Sequence, residues 1–146
     1  YITPAADVIK SRGITDCKIY GSNISPSVCQ LIMDGQVEAC TGGEFVCGIL
    51  AVTLLINYLD GNPIKDADGT APYFDNLTQF MVTAENAEDF YEFLSDENLA
   101  THTISDEEYQ NLLVRNNPDV DYDYFYDFLT NYEENVYAKV EANAAQ

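Results

Sequence analysis

Apolar residues in the opening stretch recur at helical spacing: Ala5, Ala6, Val8 and Ile9 predict a helix over Thr3 to Ser11 that stops at Arg12-Gly13. Cys17-Lys18-Ile19-Tyr20 reads as a short strand between Asp16 and the turn Gly21-Ser22-Asn23. Ser25 then stands as an N-cap with Pro26 at the first helical position, and Val28, Leu31 and Ile32 give the apolar face of a helix closing at Asp34-Gly35. Val37 to Thr41 alternates as a second strand. It runs into Gly42-Gly43, where backbone can approach a ligand or take positive φ.

Phe45 to Leu59, interrupted at Asn57 and Tyr58, is helical by length and apolar on nearly every face, so it needs cover on several sides. It is shorter than the roughly 20 residues that cross a bilayer. Asp60-Gly61-Asn62-Pro63 ends it, and a polar loop follows to Pro72. Leu77 to Thr83 alternates as a third strand, with Thr83 as the expected N-cap of a helix carrying Phe90, Phe93 and Leu94. Past Ser95 the chain grows more acidic. Ser105 to Glu108 has the form of a capping box ahead of Tyr109, Leu112 and Leu113, and Tyr124 to Ala142 reads as one amphipathic helix with Phe125, Phe128, Leu129, Tyr132, Val136 and Val140 on a single face. Strands alternating with helices predict an α/β fold around a mainly parallel sheet.

Charge narrows the partners. With 25 acidic and 6 basic residues the chain carries a formal charge of -19, which repels nucleic acid and anionic lipid surfaces. The four cysteines, Cys17, Cys29, Cys40 and Cys47, match no spacing used for zinc or redox chemistry and read first as free thiols in apolar sites, with a Cys40 to Cys47 disulfide as the alternative. Asp119, Asp121, Asp123 and Asp127 are spaced like calcium ligands, but Tyr124 and Thr130 stand where the loop needs glycine and a final acid, so no metal is expected. His102 is the sole histidine and has no nucleophile motif beside it, which argues against a catalytic triad. No enzyme activity and no cofactor are expected.

In a parallel sheet, ligands sit beyond the C-terminal ends of the strands. Two loops stand there, Gly21 to Ile24 and Thr41 to Phe45. A neutral polyol is held by planar polar groups that donate and accept, backed by an apolar wall. Asn23, Glu44 and Phe45 supply that set as candidate ligand-binding residues. The plainer alternative makes Asn23 a turn residue and Glu44 an acid in a helix's first turn.

The short strand ending in Gly-Ser-Asn, the Asp34-Gly35 turn, the stretch Gln36 to Pro63 and the run Leu77 to Ala87 (LTQFMVTAENA) together resemble the second half of type I periplasmic sugar-binding proteins. The likeness covers Ile14 to Leu94 and lies in the order and spacing of its motifs. It implies an incomplete parallel-sheet lobe of that fold, with residues 1–94 as the C-terminal part of a solute-binding domain; residues 95–146, beyond the likeness, are expected as an acidic helical segment packed on it.

The resemblance places Asn23 where the family commonly uses Asp on sugar hydroxyls, and Glu44 where an amide or imidazole often sits. It also implies that the chain crosses between two lobes after Thr41 and returns at Leu77 to Thr83. The all-round apolar helix would then pack on an N-terminal lobe of the same protein, preceding Tyr1 along with any export signal. The implied role is capture of a small polar solute, a sugar, outside the cytoplasm, by a periplasmic or surface lipoprotein that delivers to an ABC transporter permease or a sensor-kinase ectodomain. Two rivals stand beside it: the effector domain of a sugar-responsive transcription regulator, and a non-catalytic interaction module built on the acidic, tyrosine-rich segment Tyr109 to Tyr137.

Overall fold

Two helix starts form as their caps dictate. The Ser25 hydroxyl accepts from Val28 N at 3.4 Å with Pro26 opening the helix, and Ser105 and Glu108 close a reciprocal capping box. The computed structural model describes residues 2–95 and 103–145. Among them the chain is mixed α/β, with seven helices and three short strands. In chain order these are α1 (Ile2–Ser11), β1 (Tyr20–Ser22), α2 (Pro26–Met33), β2 (Ala39–Gly42), α3 (Val46–Leu59), β3 (Phe80–Thr83), α4 (Ala87–Ser95), α5 (Asp106–Asn111), α6 (Tyr122–Thr130) and α7 (Tyr132–Ala144). None of the described helices is long and apolar enough to cross a membrane.

The chain divides into two compact units, the first made from the described residues of Tyr1–Gly42, Phe80–His102 and Val136–Gln146, the second from Gly43–Gln79 and Thr103–Asn135. The acidic segment after residue 95 therefore contributes to both units, and α7 changes unit after its first turn.

In the first unit the strands run in the order β1-β2-β3. β1 and β2 are parallel, with Tyr20 opposite Ala39 and Ser22 opposite Thr41. β2 and β3 are antiparallel, from Ala39 opposite Thr83 to Gly42 opposite Phe80. The sheet is thus mixed where the alternation of elements predicts a mainly parallel one. The reason is connectivity: residues 43–79 build the second unit instead of a crossover helix on this sheet, so the chain leaves at Gly42 and returns at its pairing partner Phe80. Buried Val28, Cys29, Ile32, Cys40, Phe80, Val82, Ala87, Phe90 and Phe93 form the core, with α2 packed on α4. Tyr137 covers the outer edge of β3, its phenol accepting from Met81 N at 2.9 Å and donating to Met81 O at 3.1 Å.

The strands are shorter and later than the residue pattern suggests. β1 begins at Tyr20 and not at Cys17 because its partner cannot extend: Glu38 N still reaches Ile19 O at 2.9 Å, but Gln36 N, the next donor on that side, is already bonded to Leu31 O at 2.9 Å at the exit of α2. β3 begins at Phe80 and not at Leu77 because Thr78 Oγ1 donates to Leu129 O and accepts from Glu133 N, both in the second unit. Thr83 ends β3 with its N–H on Asn86 Oδ1, and Asn86, whose carbonyl accepts from Phe90 N, stands at the start of α4 in its place.

In the second unit α3 buries one stripe, Val46, Leu50, Thr53 and Asn57, and leaves Val52 (52%), Leu55 (55%) and Leu59 (72%) exposed. Ile64, Leu112, Leu113, Val120, Phe125 and Leu129 complete this core. The run expected as one helix from Tyr124 to Ala142 is two helices. Asp121 caps α6 by accepting from Tyr124 N at 2.9 Å. At its other end Thr130 Oγ1 and Asn131 Nδ2 bond back to Tyr126 O and Asp127 O, local bonds that compete with helix continuation.

Candidate functional site

Asn23 leaves the C-terminal end of β1 with φ at 73°, the one non-glycine residue in the left-handed region among those described, and its side chain is exposed. Asparagine adopts this conformation at lower cost than most residues because its short amide bonds locally. The register of β1 and β2 sends the loop at Asn23 and the loop at Gly43 off the same end of two neighbouring parallel strands. Gly42 and Gly43 have different reasons to be glycine. A Cβ on Gly42 would lie 2.5 Å from the Phe80 ring and 2.6 Å from Ile24 Cγ2, whereas Gly43 takes φ at 112°.

Glu44 and Phe45 belong to the second unit and precede α3. Gly43 O and Glu44 O accept from Val46 N and Cys47 N at 3.0 and 3.2 Å, so the helix starts on backbone bonds. Phe45 stands at its N-cap position without a capping side chain. Glu44 is half-buried and Phe45 is 47% exposed. The carboxylate thus sits by the positive end of the helix dipole, with an accessible ring beside it in sequence.

Comparison with family models, curated proteins and solved structures found no match. The chemistry is accordingly read from the side chains alone. Asn23 donates and accepts, an ionised Glu44 only accepts, and Phe45 offers an apolar face.

Tyr132, which the sequence places on an apolar helix face, joins the surroundings of Glu44. Burial pushes its phenol from 10.0 up to about 12, with the Glu108 and Glu44 carboxylates adding and a hydrogen bond to Thr103 acting the other way. A tyrosine among valines and leucines looks like filler in sequence; only the fold brings these carboxylates near it. Cys29, in the first unit, is pushed by burial from 9.0 up to about 12. None of the four cysteines forms a disulfide; Cys29 and Cys40 are buried, while Cys17 and Cys47 are exposed. Of the calcium-spaced aspartates, Asp121 serves as the cap of α6. His102 lies outside the described residues.

Both buried acids hold their protons in the fold at a pH where the unfolded chain releases them, so stability is fully present below pH 9 and falls as pH rises to about 12. Urea midpoints measured between about pH 8 and pH 12 are expected to drop. Cys29→Ala should lessen the drop from pH 9.0 upward and Tyr132→Phe from pH 10.0 upward. A flat profile in the parent protein would contradict this account of the two sites.

Proposed function

We propose that this chain is the solute-gripping part of an extracytoplasmic binding protein, an incomplete lobe of the type I periplasmic-binding fold. Asn23, Glu44 and Phe45 hold a small polar solute, a sugar, without breaking a bond. The observation that carries the reading is the parallel, in-register pairing of β1 with β2, from whose C-terminal ends the two candidate loops depart.

In this reading the exposed Val52, Leu55 and Leu59 of α3 meet an N-terminal lobe of the same protein. The loaded protein then delivers its solute to an ABC transporter permease or a sensor-kinase ectodomain. The charge of -19 disfavours nucleic acid as a partner.

Calorimetric titration against a panel of neutral monosaccharides tests the proposal. At least one sugar is expected to bind, and Asn23→Ala to weaken it about tenfold through loss of the donor and acceptor that face the hydroxyls. Absence of heat with every sugar, or an Asn23→Ala variant that binds like the parent, would overturn it.

A further inference from the structure

The second unit carries a different set of side chains with the same chemistry. A surface recess of about 250 Å³ is lined by Tyr124, Asp127, Phe128, Asn131 and Asn135. These positions recur every three or four residues along α6 and into the first turn of α7, so they form one strip despite the helix break at Asn131. Phe125 and Leu129, on the neighbouring face of α6, are buried in the core and hold the strip in place. Phe74 stacks on Phe125 with centroids 6.0 Å apart, and Asn76 Nδ2 donates to Tyr126 O and Thr130 Oγ1 at 2.7 Å each, which ties α6 down further.

Tyr124 and Phe128 present flat apolar surface, Asp127 accepts, and the two asparagines bring amides that both donate and accept. Asn131 Nδ2 is engaged with Asp127 O at 2.9 Å, which orients its side-chain carbonyl as an acceptor. A sugar ring has complementary properties: hydroxyls that donate and accept around its rim, and C–H faces that lie against aromatic carbon. Neither Lys nor Arg lines the recess, and Asp127 adds to an already negative chain, so a phosphorylated or carboxylated sugar lacks a partner here. The volume falls below the roughly 300 Å³ at which pockets for larger ligands begin. It suits one monosaccharide unit or the terminal unit of a glycan.

We propose that this recess is a subsite for a single neutral sugar residue. It is built from second-unit side chains alone and does not rest on the reading of Asn23, Glu44 and Phe45.

Titration of the whole isotope-labelled protein by two-dimensional NMR tests it, with methyl glycosides of glucose, galactose, mannose and N-acetylglucosamine as probes and glucuronate as the charged control. At least one neutral glycoside is expected to shift the side-chain amides of Asn131 and Asn135 with a Kd on the order of 1 mM. Glucuronate should bind more weakly. Asn135→Ala and Asp127→Asn should each weaken binding roughly three- to tenfold, while Asn23→Ala leaves the shifts at Asn131 and Asn135 unchanged. Both recess variants alter exposed side chains and keep the fold. Shifts with none of the glycosides, tighter binding of glucuronate, or recess variants that bind like the parent would overturn the proposal. Sugar shifts confined to the surroundings of Asn23 and Glu44 would overturn it while leaving the first site standing.

Discussion

Phe90→Ala is expected to remove about 3 to 5 kcal/mol of unfolding free energy. Phe90 is 0% exposed on α4. Its ring lies 5.2 Å from that of Phe80 on β3, nearly parallel at 12°, and meets Tyr137 of α7 edge-on at 6.0 Å. One side chain therefore joins a strand and two helices of the first unit, and truncation loses both its transfer energy and the contacts of the cavity it leaves. Phe90→Leu keeps most of the volume and should lose clearly less. Urea unfolding of the variants measures this. An alanine variant within about 0.5 kcal/mol of the parent, the range of an ordinary exposed change, would mean that this aromatic cluster does not anchor the unit.

Asn57→Ala is expected to lower stability by about 3 kcal/mol. Asn57 is 1% exposed. Its Nδ2 donates to Leu112 O and its Oδ1 accepts from Val114 N, each at 2.9 Å, so one amide satisfies both polarities of the buried turn after α5. Removing it strands a backbone carbonyl and a backbone N–H, at about 1 to 3 kcal/mol for each buried group. Asn57→Asp separates the two bonds: the acceptor survives, the donor is lost and a charge is buried, so it should be no more stable than the alanine variant at neutral pH. If instead Asn57→Leu were as stable as the parent, the amide clamp would be energetically idle.

Asn57 also marks where sequence reading reaches its limit. The residues Phe45 to Leu59 identify a helix, yet apolar content on all sides cannot say which stripe turns inward. The structure buries Thr53 and Asn57 while Leu55 and Leu59 face outward. Hydrogen-bond partners 55 and 57 residues away decide this, and they are invisible to periodicity. Local signals fared better. The caps at Ser25 and Ser105 were legible because the partner lies three residues on. The antiparallel return of β3 was not, since it depends on where the intervening residues 43–79 fold.

The candidate site divides along the same line. Asn23 and the pair Glu44-Phe45 could be singled out because each follows a strand signal and a glycine turn, and the parallel register of β1 with β2 is what such turns require. Tyr132 could not, because its tie to Glu44 and Glu108 is purely tertiary. The strip from Tyr124 to Asn135 was hidden by the break at Asn131, which turns one expected helix into two.

The central claim is that the loops following β1 and β2 take up a solute. The most direct measurement is the backbone amide spectrum of the protein during titration with a neutral sugar. Saturable shifts are expected at Asn23, Gly43 and Glu44, and in a variant carrying Asn23→Ala those at Gly43 and Glu44 should need about tenfold more sugar. Resonances of these residues that stay fixed while a sugar demonstrably binds elsewhere would contradict the claim.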